Sequence, residues 1–383
     1  MNAPNAPRLR PGTPAEAGLH PAWTERLVSG VRALPEGLPP WCPGAVVLAG
    51  RGPVVAAEAA TGWAVRYRAY DPDRDRGVDL PRDRWEPMRI GTVFDLASLT
   101  KLFTAIAAVQ QVERGRLALD APVAAHLPAF APGITVRDLL RHTSGLAPEL
   151  PFYAHRDGPD LLAPLWAEAA APCGPYGVHR YSDLNLIALH LLLERLTGRR
   201  LDALVRDGIT GPLGMTSTCY GPLAPQGVAA TEDQRRPWAK ADRGLLRGEV
   251  HDENAWALGG VAGHAGVFST AQDLAVLCRT LLNGGAYGTA RILGPAAVAA
   301  LLDPPGLGFA VDQPYFMGEL AGRGAAGHTG FTGTSLVLDR ATDSFLVLLA
   351  NTVHPRRRTG GSAPRAAAAT RLARAVSAAP GRP

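Results

Sequence analysis

Apolar β runs stand at both ends of this chain and apolar helices fill its middle. That order restricts the fold more than any other feature. Near the N-terminus, Gly44–Gly50, Val54–Ala60 and Gly62–Tyr70 read as strands, parted by turn signals at Arg51-Gly52-Pro53 and Thr61-Gly62. Near the C-terminus, Thr334–Asp339 and Ser344–Asn351 are apolar runs joined by a short polar turn. Between them, Leu102, Ile106, Val109 and Val112 recur at helical spacing after Ser98, and Gly115 supplies the stop. Leu184–Leu196 is a second apolar helix, opened by Ser182-Asp183 and closed by Gly198; Thr270–Asn283 is a third, ended by Gly284-Gly285. Further helices read at Pro21–Leu34 and Ala363–Ala378, and the polar stretch Asp71–Met88 reads as a loop. Strands need partners, so the two terminal groups build one sheet and the central helices form an insertion. The expected class is α+β, with residues 1–97 and 262–383 in a discontinuous sheet domain and 98–261 in a mainly helical one. A chain of 383 residues, 46% of them hydrophobic, can fill such a core.

Several function classes recede on composition. No run of 18 apolar residues is present, so no membrane span is expected. Met1–Pro14 carries four prolines and no apolar segment, unlike a secretory signal, and a cytoplasmic protein is expected. Cys42, Cys173, Cys219 and Cys278 lie far apart and read as free, buried thiols rather than a metal or redox motif. The net charge of +5 is smaller than the seven arginines of the acid-free tail His354–Pro383, so the body gives no reason to expect nucleic acid. Arg356-Arg357-Arg358 reads as a solvated run. Neither Gly-x-Ser-x-Gly nor a Gly-rich nucleotide motif occurs, and no cofactor is expected.

Of 39 basic residues only Lys101 and Lys240 are lysines. Lys101 follows Ser98 by three positions at the start of an apolar helix, where residues i and i+3 share a face. Arginine cannot give up its proton in a protein, and lysine can. The sequence therefore points to an amine that becomes neutral beside a nucleophilic serine, helped by the helix N-terminus and by burial.

Two more motifs follow in order: Tyr181-Ser182-Asp183 at the head of the second helix, and His328-Thr329-Gly330 before a C-terminal strand. Ser-x-x-Lys, a Tyr or Ser motif, then Lys-Thr-Gly is the order of the penicillin-recognising serine enzymes. The sequence resembles that superfamily, and most closely its class C β-lactamase-like branch, over roughly residues 12 to 376. Leu139–Leu146, Gly211–Met215 and Gly259–Gly266 look like that branch too. The resemblance implies a β-lactamase/transpeptidase-like fold, an antiparallel sheet flanked by helices with an all-helical part inserted. It implies Ser98 as acylated nucleophile, Lys101 with Tyr181 as general base and acid, and the backbone N–H groups of Ser98 and Phe331 as oxyanion hole. Asp183, His328, Thr329 and Gly330, with His264 beside them, would meet the substrate.

Two positions depart from the β-lactamase pattern. Asp183 stands where many relatives have asparagine, and a carboxylate cannot donate to a substrate carbonyl. His328 stands where β-lactamases have lysine, which weakens binding of a substrate carboxylate. The implied activity is a serine hydrolase for small-molecule esters or amides, with a transacylase, or a D,D-carboxypeptidase, amidase or weak β-lactamase, as alternatives. His251-Asp252-Glu253-Asn254 with His264 lacks metal-ligand spacing, and no metal is expected. His142 reads as a turn histidine, Asn185 as structural, and Asp183 equally as a helix cap. The stretches Leu146–Tyr176 and Gly221–Asn254 are expected to line the pocket.

Overall fold

In a computed structural model the chain is described over residues 5–158, 160–358 and 361–378; Arg382, counted above, lies outside them. The main sheet takes its strands from both ends of the chain. These are β1 (Arg10–Pro11), β2 (Gly44–Arg51), β3 (Val54–Val65), β4 (Ala310–Val311), β5 (Ala326–Thr329), β6 (Ser335–Asp339) and β7 (Ser344–Ala350). Their spatial order is β1-β3-β2-β7-β6-β5-β4, with Glu86–Pro87 added beside β3. All pairings are antiparallel except the two-residue β1, which runs parallel to β3.

Alternation along the strands divides the apolar side chains between two cores. Ala45, Val47, Ala49, Leu346 and Leu348 face α1 (Pro21–Arg32) and α6 (Ala363–Ser377). Val46, Leu48, Phe345 and Val347 face the other way, into a larger core shared with α2 (Thr100–Glu113), α4 (Asp183–Thr197) and α5 (Ala271–Leu282). Helix α2 is buried on every side from Thr100 to Gln111, as its nearly continuous apolar sequence requires. The sheet's inner face and the central helices thus share one continuous core.

Four local expectations need correction. Strand β3 runs straight through Thr61-Gly62. Gly62 has a φ of +70°, and a Cβ there would sit 2.1 Å from the Pro43 carbonyl oxygen, so the glycine serves close approach rather than a turn. Tyr67–Asp71 instead pairs with Arg76–Asp79 as a separate hairpin inside the expected loop. That second strand is stabilised by backbone bonds and has no apolar run to announce it. The arginine run is pinned at two of its three positions: Arg356 pairs with Asp75 at 3.2 Å, and Arg357 with Glu232 at 2.7 Å and with Glu253, while Arg358 is exposed. Of the free cysteines, Cys42 and Cys278 are buried, whereas Cys173 and Cys219 are exposed. No helix among the described residues is long and apolar enough to cross a membrane.

One contact links this scaffold to the chemistry. Thr104 of α2 donates to the Gly263 carbonyl at 2.8 Å, tying the glycine-rich turn to the helix that carries Lys101. A Cβ on Gly263 would lie 2.0 Å from the Leu186 carbonyl oxygen of α4. Gly263→Ala should therefore part the turn from α4, costing about 1–3 kcal/mol of stability. Thermal unfolding measures the cost, and an unchanged midpoint would contradict this packing.

Candidate active site

Ser98 sits on a strained turn. Phe94–Asp95 forms a short strand, Ala97 takes a left-handed φ of +46°, and a single 3-10 turn, Ala97–Leu99, leads into α2. Non-glycine residues occupy that region at a cost, and the surroundings must hold them there. Here Asp95, 2% exposed, accepts from the Ala97 N–H at 2.8 Å and from the His251 N–H at 2.6 Å. Thr332 donates to the Asp95 carbonyl at 2.7 Å and Thr334 to the Leu96 carbonyl at 3.0 Å. The third motif is thereby clamped onto the serine turn. Gly330 is required at this junction, since a Cβ would lie 2.4 Å from the Leu96 carbonyl oxygen.

The expected residues converge on Ser98. Lys101 Nζ donates to Ser98 Oγ at 2.8 Å, and the Tyr181 hydroxyl donates to the same oxygen at 3.1 Å. Lys101 Nζ also reaches the His264 carbonyl at 3.2 Å and lies 2.8 Å from Asp183 Oδ1. Lys101 is fully buried. Burial alone lowers its pKa, but the Asp183 carboxylate and Tyr181 outweigh this and hold the ammonium above the usual lysine range. This corrects the expectation of a readily neutralised amine: two oxygens accept from the nitrogen and a carboxylate stands beside it as counter-charge. Burial also raises the Tyr181 phenol, against the pull of Lys101.

Other side chains fix these groups. His142, at a φ of +57° after α3 (Val136–Arg141), stacks on Tyr181 with ring centroids 4.8 Å apart. Its Nδ1 accepts from the Ser182 N–H at 3.1 Å, so the Asn185 amide, 3.2 Å away, donates to it as well. Asn185 Oδ1 accepts in turn from Ser144 at 2.6 Å. His142 is thus a turn residue that also orients Tyr181, a role the sequence did not show. Burial and the nearby Lys101 charge push its pKa down to about 3.

His328 is neutral for the same reasons, with its pKa lowered to about 4 by burial and by Lys101. Its Nδ1 lies 2.7 Å from the Thr329 carbonyl, which can only accept, so Nδ1 carries the hydrogen and Nε2 is left as an acceptor. The backbone N–H groups of Ser98 and Phe331 have no protein acceptor among the described residues. Phe331 is cradled by His251, 5.5 Å between ring centroids, and by Arg357 at 5.7 Å. Beneath it, hydrogen bonds from His251 and Arg357 outweigh burial and hold the Glu232 carboxyl at about 2.

Ser98 opens into a cleft of about 930 Å³ that His142, Tyr181, His328, Thr329, Gly330 and Phe331 help to line. Asp183 and His264, expected to touch substrate, are not among its lining residues. His264 is 1% exposed and pairs through Nε2 with Asp252 at 2.9 Å. Asp183, Asp252 and His264 bring ligand atoms within 4.8 Å of one another. Each of these carboxylates already faces a protein donor, Lys101 or His264. The described residues of the stretches 146–176 and 221–254 contribute nothing to the lining; residues of Pro304–Tyr315, with Trp41, Arg358 and Arg365, do. Those walls carry no motif, and only the fold brings them to the serine. Arg365, 8% exposed, donates to the Gly330 carbonyl at 3.0 Å and to Ser362 at 3.1 Å, while its Nε has no partner. Burial lowers its pKa to about 10.

Residues 39–370 match the model of the β-lactamase family. A putative D-alanyl-D-alanine carboxypeptidase of Escherichia coli K12 is 35% identical, with 69% of this chain and 70% of that protein covered. An N-acetylmuramyl-L-alanine amidase of Bacillus subtilis 168 is 31% identical, covering 82% and 78%. The structure of EstCE1, described as a hydrolase with promiscuous acyltransferase activity, superposes with a TM-score of 0.65 at 22% identity, covering 92% and 98%, and shares the fold.

Acid should loosen this site in a defined window. A histidine with a depressed folded pKa binds fewer protons folded than unfolded, so its contribution is complete above the unfolded value of about 6.5 and is lost as pH falls through the folded one. For His328 the loss runs from about 6.5 down to about 4. The full contribution is on the order of 3 kcal/mol, an upper bound because the ring borders the cleft. His328→Gln should flatten the fall of unfolding midpoint with acid; an identical slope in the variant would refute a neutral His328.

Proposed function

Because the chain belongs to the β-lactamase family, a family of serine hydrolases and acyltransferases, we propose that it hydrolyses small-molecule carboxylic esters or amides through an acyl-enzyme on Ser98. One observation carries this reading: Ser98 Oγ lies within hydrogen-bond reach of both Lys101 and Tyr181, at 2.8 and 3.1 Å. The serine oxygen attacks the substrate carbonyl. The charge that develops on the carbonyl oxygen is met by the N–H groups of Ser98 and Phe331, each such donor contributing about 3 kcal/mol to the barrier. Tyr181 and Lys101 deliver the proton that the leaving group needs. Water, or an amine or alcohol in a transacylation, then takes the acyl group from Ser98.

A second reading has its own support. His328 is neutral, but Arg365 brings a guanidinium to the cleft with no carboxylate partner among the described residues. An amide substrate bearing a carboxylate away from its reacting carbonyl fits that wall. The relatives described as a carboxypeptidase and an amidase favour the same choice.

A fluorophosphonate probe should add its mass to Ser98, and Ser98→Ala should abolish hydrolysis of short p-nitrophenyl esters; retained turnover in that variant overturns the reading. Lys101→Arg should lose nearly as much activity as Lys101→Ala, because guanidinium cannot pass a proton. Arg365→Ala separates the two substrate classes. It should raise KM for carboxylate-bearing amides about tenfold or more and spare neutral esters, whereas equal effects on both would remove the second reading.

A further inference from the structure

In the resting site both neighbours of Ser98 donate to it, and an ammonium has no lone pair with which to accept its proton. The acceptor must therefore lie one bond further back. Lys101 Nζ donates to two oxygens, Ser98 Oγ at 2.8 Å and the His264 carbonyl at 3.2 Å, and forms an ion pair with Asp183 Oδ1 at 2.8 Å, a buried oxygen with no hydrogen-bond donor of its own among the described residues. A carbonyl does not take up a proton at neutral pH, and Ser98 is the group being deprotonated. Only Asp183 remains. It stands at the first position of α4, two residues after Tyr181, with its side chain 21% exposed against the fully buried lysine.

We propose that Asp183 is the proton acceptor of the acylation step, working through Lys101, and rests in neither a substrate-contacting nor a purely capping role. The inference rests on the acyl-enzyme reading given above. As Ser98 Oγ bonds to the substrate carbonyl carbon, the carbonyl π pair moves to its oxygen. The Ser98 proton passes to Lys101 Nζ while a proton already on Nζ passes to Asp183 Oδ1. The lysine stays an ammonium, the carboxylate becomes a carboxylic acid, and the single new negative charge sits on the substrate oxygen. Collapse expels the leaving group, which takes a proton from the Tyr181–Lys101 side, and Asp183 returns its own to Lys101. Atoms and charge balance with no further reactant.

The groups around the pair leave the Lys101–Asp183 contact undisturbed. The titratable groups facing the pair are Tyr181 just before α4, His142 after α3, His328 from β5, and Asp252 and His264. Asp252 is occupied by His264 and by the Ala255 N–H at 2.7 Å, so it does not compete for the lysine proton.

The test is the pH dependence of Ser98 acylation by a fluorophosphonate probe, in the full chain, for wild type, Asp183→Asn and Asp183→Glu. With Asp183 as acceptor, the wild-type rate falls in acid. Asp183→Asn removes the acceptor and leaves a buried lysine without its counter-charge, so the amine itself becomes the base. Acylation should slow by about a hundredfold or more, and the acid limb should move up by at least about one pH unit. Asp183→Glu keeps a carboxylate, so it should retain the wild-type acid limb and recover much of the rate, and its folding controls for loss of structure in the asparagine variant. An asparagine variant with wild-type rate and acid limb, or one that changes only the probe concentration giving half-maximal rate, overturns the relay and leaves the acyl-enzyme reading intact. Absence of Ser98 labelling in wild type overturns both. A glutamate variant that folds yet behaves as the asparagine one also sinks the proposal.

Discussion

A fully buried ammonium has to be matched by acceptors, and Lys101 is the charge around which this active site is built. Removing such a charge from water costs several kcal/mol unless partners replace the solvent. The partners come from three parts of the chain: the serine turn, the head of α4, and the glycine-rich turn at residues 259–266. Meeting the lysine therefore fixes where these three segments lie. The alignment of Ser98 with Tyr181 follows from that matching, since Tyr181 and Asp183 enter on the same helix start.

The second constraint is close approach of backbone. The serine turn keeps a left-handed alanine in place only because Asp95, Thr332 and Thr334 bind it from two directions. Gly330 lets the two chains meet, and the loop after it presents the Phe331 N–H beside that of Ser98. Behind this loop, the ion cluster of Glu232, His251, Glu253 and Arg357 carries the Phe331 ring. The cluster thus sets the position of the Phe331 ring. Breaking one member leaves a buried charge unpaired, so the effect would reach the loop before it reached the fold as a whole.

Charge also distinguishes this cleft from one selected for penicillins. The cation that β-lactamases have at position 328 is replaced by a neutral imidazole whose free nitrogen accepts, while positive charge enters the cleft wall from Arg365, which donates to the Gly330 carbonyl. Apolar surfaces from Trp41, Phe309 and Tyr315 complete that wall, which leaves room for an acyl or leaving group with aromatic or aliphatic bulk.

Much was legible in the sequence. Periodicity placed α2, α4 and α5 within a residue or two, because each is a run of regularly recurring apolar residues closed by a glycine soon after its end. The strands at both ends were legible as parts of one sheet, and the order of the three short motifs identified the residues that meet at Ser98. The hairpin at Tyr67–Asp79 and the pinned arginine run escaped because backbone bonds and long-range ion pairs leave no local pattern. The cleft walls escaped for the same reason, since Pro304–Tyr315 and Arg365 reach the serine only through the folding of the sheet. The sequence by itself determined which side chains the chemistry uses, since motif spacing is local and a lysine three residues from a serine shares its helix face. Tertiary structure alone decided their ionisation. The charge on Lys101 depends on a carboxylate 82 positions away brought within 2.8 Å, and neither burial nor such a partner is written in the order of residues.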